Sequence, residues 1–277
     1  MTNSDVWPTG KRAAAALTFD VDANELWRVK RENDLEWDKP QIRNRGEFGP
    51  KIAVPRILEL LDRYDLRATF FIPGKVAKNW PDTIQAIHDA GHEIGHHGYT
   101  HTNPAKATAS EQKADIERAM DVFDDLIGET PVGYRSPAAD LGDHTLEILA
   151  DNGIMYESSF INSDMPYVHD VNGSDLVEIP FDWSLDDWPY FGFQMYPPLP
   201  YQSGISPTSE VFDSWTREFE GQHKRGRCFM LTMHPQIIGR AGRIDALEEL
   251  VQTMVQTGDT WITAGEEIAD YWLKTQV

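Results

Sequence analysis

The chain has 277 residues, 40% of them hydrophobic and 25% charged, which is the make-up of an ordinary globular protein able to bury a core without staples. A formal net charge of -20 leaves no room for the basic face that nucleic acid or an anionic membrane requires, so neither is expected as a partner. The single cysteine, Cys228, excludes an intrachain disulfide and suits a reducing compartment.

Met1 to Arg12 is polar, and the apolar run that follows, Ala13 to Phe19, ends at Asp20. That run is too short for a secretory core followed by a cleavage site, and no segment approaches the length of a bilayer span. The expectation is a soluble, cytoplasmic protein.

The run Ala13 to Phe19 predicts a buried first strand. Residues 23–50 then form an unusually long connection, of the length found in lids and binding loops. It carries Trp27, Trp37 and Phe48. Helical periodicity covers 51–64, with Pro55 in the first turn, where a missing N–H costs little. Ala68 to Ile72 predicts a second strand, stopped by Pro73-Gly74. A helix over 81–90 ends at Gly91, and Glu93 to Gly95 is a short third strand. Ser110 opens an amphipathic helix to about Ile127, with Glu111 favourable in its first turn. Val132 to Tyr134 is a fourth strand and 143–151 a helix closed by Asn152-Gly153. Met155 to Phe160 and Leu176 to Ile179 predict two further strands. Residues 189–207, rich in Pro, Gly and aromatics, predict a structured loop. A helix over 208–221, a strand Cys228 to Met233, a helix over 244–256, a strand Trp261 to Thr263 and a terminal helix over 266–274 complete the chain.

Alternation of this kind means a mostly parallel α/β sheet. About seven such units fit a (β/α) barrel, distorted or incomplete, with an open doubly wound sheet as the alternative. No glycine-rich phosphate loop follows a strand, which weighs against a nucleotide fold. Residues 1–277 are expected to form one domain with inserted loops 23–50 and 189–207.

Polar residues collect where predicted strands end. Asp20 and Asp22 follow the first, His97 and His101 the third, Arg135 the fourth. Asp182 with Trp183 follows the strand ending at Ile179, and His234 follows Met233. In parallel α/β folds these ends share one mouth. Asp20 and Asp22 lie two apart and would share a strand face, where two carboxylates repel unless a cation or proton sits between them. His97 and His101, four apart, can close on one metal ion. His92 and His96 have the same spacing, so spacing alone does not choose. Serine-hydrolase chemistry is not expected, because no Gly-x-Ser-x-Gly elbow is present. Cys228, inside an apolar strand, is expected to be a buried small hydrophobe. The aromatics at 183, 188, 190, 196 and 201 suit either ring stacking or packing.

Thr18-Phe19-Asp20-Val21-Asp22, His97-Gly98-Tyr99-Thr100-His101, Arg135-Ser136-Pro137 and Leu231-Thr232-Met233-His234-Pro235 stand in the order of motifs in the polysaccharide deacetylase family (NodB homology, carbohydrate esterase family 4). The chain resembles that family over most of its length. It is most similar to the unsecreted subgroup of peptidoglycan-deacetylase-like and allantoinase-like proteins, through Gly91-His92-Glu93-Ile94-Gly95 and Glu178-Ile179-Pro180. The resemblance implies a distorted or incomplete barrel of the NodB type. It implies a divalent metal, usually zinc, on Asp22, His97 and His101. Asp20 would be the general base, Arg135 its holder and His234 the general acid. Trp183 would wall the cleft, and the Ala138 N–H is a candidate oxyanion donor. The chain departs from polysaccharide-active members at Val21-Asp22, where Asp-Gly is common, and at Ala138, where Tyr is common. The expected function is hydrolysis of a non-peptide C–N bond, most simply N-deacetylation of a carbohydrate or related small amide. The alternatives are hydrolysis of a cyclic imide or ureide, and a non-catalytic carbohydrate-binding protein on the same fold. The subgroup analogy also implies a homo-oligomer.

Overall fold

The computed structural model describes residues 6–28, 40–195 and 202–277. Nine strands among them share one sheet: β1 (Ala13–Asp20), β2 (Thr69–Ile72), β3 (Glu93–His96), β4 (Gly133–Tyr134), β5 (Tyr156–Glu157), β6 (Tyr167–Val171), β7 (Ser174–Glu178), β8 (Cys228–Met233) and β9 (Thr260–Ile262). Their order is β6-β7-β5-β4-β3-β2-β1-β8. Strand β9 pairs with Ala13 to Ala15 at the start of β1, and β2 pairs with Thr18 to Asp20 at its end. Every pairing is parallel except β6 with β7. The result is the expected distorted, incomplete (β/α) barrel, a curled α/β sheet that helices cover from outside.

The two faces of the sheet sort by strand parity. Ala15, Leu17 and Phe19 of β1 enter the core with Phe70, Ile57, Trp215 and Leu250. Ala14 and Ala16 enter a second core with Phe71, Tyr156, Val177 and Met230 on the concave side. Both faces being buried explains why β1 reads as a continuous apolar run. It also fixes where the polar residues go, because Thr18 and Asp20 share the parity of Ala14 and Ala16. They therefore enter the barrel at its C-terminal mouth. Phe71 pairs in register with Gly95. A Cβ on Gly95 would lie 2.5 Å from the Phe71 ring, so only glycine lets β2 and β3 approach here.

Most predicted elements are found, and the differences have local causes. The long connection is not one loop. Glu25–Arg28 and Pro40–Phe48 are helical, and Gly49–Ala53 is a wider turn that runs into the helix Val54–Arg63. Trp27 is buried against Trp188, with ring centroids 5.3 Å apart, and Phe48 lies under Arg240, 3.7 Å from its ring centroid. Trp37 lies outside the described residues, as do Tyr196 and Tyr201 of the second expected loop. A helix Gly74–Asn79 directly follows Pro73, where a plain stop was expected. The long helix is Ala109–Ile127, capped by Thr108, two residues before Ser110. Thr108 and Glu111 bond each other's backbone N–H in a capping box,. The β6–β7 hairpin was not foreseen. Its turn is Asn172-Gly173, with φ of 54 and 86, the two-residue pattern that favours tight hairpins. No helix among the described residues is long and apolar enough to cross a membrane.

Phe19 and Phe70 are register partners whose rings stack at 5.0 Å, and both are fully buried. Replacing Phe70 with Ala should lower unfolding free energy by about 3–5 kcal/mol. Urea denaturation would read this as a lower midpoint with an unchanged slope.

Candidate metal centre and active site

Two strand ends, those of β1 and β3, bring Asp22, His97 and His101 together. Asp22 is fully buried. Its Oδ1 lies 3.4 Å from His97 Nε2 and 3.6 Å from His101 Nε2. A cation held at about 2.0–2.2 Å by each of three tetrahedral ligands would set them about 3.4 Å apart. Donor type and spacing therefore both fit a divalent metal. His97 Nδ1 donates to the Arg135 carbonyl at 2.7 Å, which leaves the Nε2 lone pair facing Asp22 and His101,. Burial pulls the His97 pKa down and favours the neutral ring, the form a metal requires.

The choice among the histidines follows from their partners. His96 is engaged at both nitrogens, donating from Nε2 to the Ile116 carbonyl at 3.1 Å and accepting at Nδ1 from Gly98 N–H at 3.0 Å. His92 accepts from Ala68 N–H at the opposite end of β3. The turn to His101 is held by Asp115, whose Oδ2 accepts from Tyr99 N–H at 2.7 Å. Gly98 has a φ of 70, and His101 itself is left-handed at 59, a strained backbone of the sort found at functional sites.

Asp20 lies beside the triad, its Oδ2 3.9 Å from His97 Nε2. Its Oδ1 accepts from Arg135 Nη1 at 2.9 Å. Burial opposes its ionisation, but the Arg135 guanidinium, with His97 and His234, outweighs burial and holds the carboxyl below its ordinary range. On the other side, His234 Nε2 lies 3.6 Å from Asp22 Oδ2. Its Nδ1 donates to Asp187 Oδ1 at 2.7 Å, and its backbone N–H donates to Asp187 Oδ2 at 3.0 Å. Burial pulls His234 down, yet Asp187, Asp186 and Asp22 together raise it to about 10.

Asp187 was missed in the sequence, where Asp182 stood in its place. The structure corrects this. Asp182 is exposed and turns its carboxylate to Ser184 N–H at 2.7 Å, capping a short turn. The following residues run alongside β8 instead, where Asp186 bridges Thr232 and Asp187 N–H donates to the Thr232 carbonyl. That contact sets Asp187 against His234. The dipeptide Asp-Trp occurs at both 182–183 and 187–188, and spacing alone does not separate the two. Both tryptophans reach the cleft, together with Leu26, Phe181, Ala138 and Ala139. Trp183 is 43% exposed at the mouth. Ala138 and Ala139 have φ of 61 and 48, a strained turn directly after Arg135-Ser136-Pro137.

A peptidoglycan deacetylase from Helicobacter pylori is 30% identical to this chain, covering 95% of this chain and 97% of its own length. The chain belongs to the polysaccharide deacetylase family. The family model for polysaccharide deacetylase matches residues 47–156, the part that contributes His97, His101 and Arg135. A Mycobacterium smegmatis structure assigned to the polysaccharide deacetylases superposes with a TM-score of 0.92 at 34% identity, covering 98% of this chain and 93% of that one. The Puue allantoinase structure shares the fold, with a TM-score of 0.84 at 21% identity over 97% of this chain and 93% of its own.

In this deacetylase-family chain the His234–Asp187 pair makes a testable electrostatic statement. Without metal, His234 should stay protonated to about pH 10, and Asp187→Asn should bring its titration back towards 6.5, read by NMR of the ring protons. The folded pKa lies above the unfolded value. The pair's stabilisation is therefore complete below about pH 6.5 and lost as pH rises through about 10,. A cation on Asp22 opposes the protonated ring and should move the titration down.

Proposed function

We propose that this chain is a divalent-metal-dependent hydrolase of non-peptide C–N bonds, acting as an N-deacetylase on a carbohydrate or related small amide. Residues 1–277 act as one catalytic domain in this reading, and zinc is the preferred ion for two imidazoles and one carboxylate. The observation that carries the proposal is the pair of proton-transfer groups beside the triad. Asp20 Oδ2 is 3.9 Å from His97 Nε2, and His234 Nε2 is 3.6 Å from Asp22 Oδ2. A site that only bound metal would need neither group, nor the buried arginine that keeps Asp20 ionised.

When bound, the ion would polarise the amide carbonyl and lower the pKa of a water. Asp20, anionic and aimed by Arg135 Nη1, takes the attacking water's proton. His234, held by Asp187 with Nε2 towards the cleft, gives a proton to the departing nitrogen. The Ala138 N–H supports the oxyanion. Trp183 and Trp188 wall the cleft and position the acyl group's carrier.

A cyclic ureide or imide is the second reading. The observation behind it is the apolar wall of Leu26, Trp183 and Trp188 on the cleft that holds His97 and His101, which suits a compact ring. Zinc-loaded protein and a chelated control should be assayed on N-acetylated sugar oligomers and on cyclic ureides. Chelator-sensitive acetate release supports the first reading, and chelator-sensitive ring opening the second. Asp20→Asn and His234→Ala should each retain the ion by calorimetry and lose about 10²- to 10⁴-fold in turnover. Full turnover in either variant would overturn the role assignment.

A further inference from the structure

The cleft contains one more carboxylate than its mechanism uses. Asp20 has Arg135 at 2.9 Å. Asp187 has His234 at 2.7 Å. Asp22 has two imidazoles at 3.4 and 3.6 Å. Asp186, only 3% exposed, has no cation of its own among the described residues. Its Oδ1 accepts from Trp188 N–H at 2.7 Å and lies 3.7 Å from His234 Nδ1, a nitrogen already occupied by Asp187. Its Oδ2 accepts no hydrogen bond from any described residue, and Asp186 lines the cleft together with His97, His101 and His234. A carboxylate so nearly buried is costly unless donors meet it. The donor set is incomplete on the side where substrate must lie.

We infer that Asp186 is a substrate-contacting residue that accepts from the leaving nitrogen, first as the scissile amide's N–H and then as the product ammonium. This rests on the amide-hydrolase reading. In that reaction the C–N bond breaks, water's oxygen bonds to the acyl carbon, and the nitrogen receives one proton from His234. As ammonium it takes a second from the carboxylic acid formed, while the proton taken by Asp20 restores His234. Asp186 stands on the same wall as His234, so the group that gains the proton meets a carboxylate as its positive charge appears. Such an acceptor favours nitrogen leaving groups over oxygen ones, because an ester's leaving oxygen offers no hydrogen to accept. It sets the site's preference for amides.

The test compares two chromogenic acetyl substrates of matched shape, 4-nitroacetanilide and 4-nitrophenyl acetate, in zinc-loaded wild type, Asp186→Asn and Asp186→Ala. Asn still accepts from Trp188 N–H, which protects the fold. Both variants should lose about 10- to 100-fold in kcat/KM on the anilide, the usual worth of a hydrogen bond to a charged group, and stay within about three-fold on the ester. Equal losses on both substrates would mean that Asp186 does not act on the leaving nitrogen, and would overturn the inference. A role through His234 alone would also spare the ester, and a binding measurement separates that case. A second arm needs no turnover. Glucosamine, as its ammonium, should bind wild type about ten-fold more tightly than Asp186→Asn, while glucose should bind both alike. Equal glucosamine affinities would also overturn it. Wild type inert on both acetyl substrates would instead count against the hydrolase reading, and the binding arm alone would then decide Asp186.

Discussion

A guanidinium cannot be buried without partners, and Arg135 is 1% exposed. Removing one partner of a buried charge costs several kcal/mol, far more than a surface pair is worth. Arg135 is satisfied from both sides of the curled sheet. Nη1 donates to Thr18 Oγ1 at 2.8 Å and to Asp20 Oδ1 at 2.9 Å on β1. Nε and Nη2 donate to the Ser158 carbonyl and Oγ, just beyond β5, at 3.2 and 3.1 Å. Its planar group lies 4.3 Å from the Phe71 ring centroid on β2. These partners meet only when the sheet has curled, so closing the barrel and assembling the site are one event. The same residue's carbonyl fixes the tautomer of His97. Its side chain orients Asp20, and its backbone carbonyl orients His97.

Much of this was legible because parallel sheets have simple grammar. Strands buried on both faces read as unbroken apolar runs, and polar residues placed just after them converge on one mouth. Asp20, Asp22, His97, His101, Arg135 and His234 could be collected by that rule alone. His96 and His97 could not be ranked by spacing. Consecutive residues at a strand end face opposite sides, and only the fold shows that His96 points to the Ile116 carbonyl.

Where the sequence was silent, the cause was tertiary. Asp187 acquires its place from a bridge between Asp186 and Thr232, which no local pattern announces. The helix Pro40–Phe48 contains a glycine and has little intrinsic tendency to form. Its Gly46 packs so closely on Ala23 and Asn24 that an ideal Cβ would lie 2.0 Å from Asn24 Oδ1, and Arg45 stacks 4.6 Å from the Trp27 ring centroid. Tertiary contact holds this segment helical. By contrast, the Thr108 cap and the Asn172-Gly173 turn are local signals, present in the sequence and open to a closer reading.

Glu178 shows how far the site's electrostatics extend from the cleft. Its Oε1 accepts from the N–H groups of Ser159 and Phe160 at 3.2 and 3.1 Å. That turn supplies Ser158 to Arg135, and Ser159 Oγ accepts from Ser136 N–H at 2.9 Å. Glu178 therefore supports Asp20 at two removes. It is also a register partner of the fully buried Glu157. Burial raises both, Glu178 to about 7 and Glu157 well above the ordinary carboxylate range. Two carboxyls in such a place resist joint ionisation, so near neutrality the pair retains a proton. If both were anionic they would compete with Asp20 for the charge of Arg135. Held partly neutral, they keep the turn in place and leave that charge directed at Asp20.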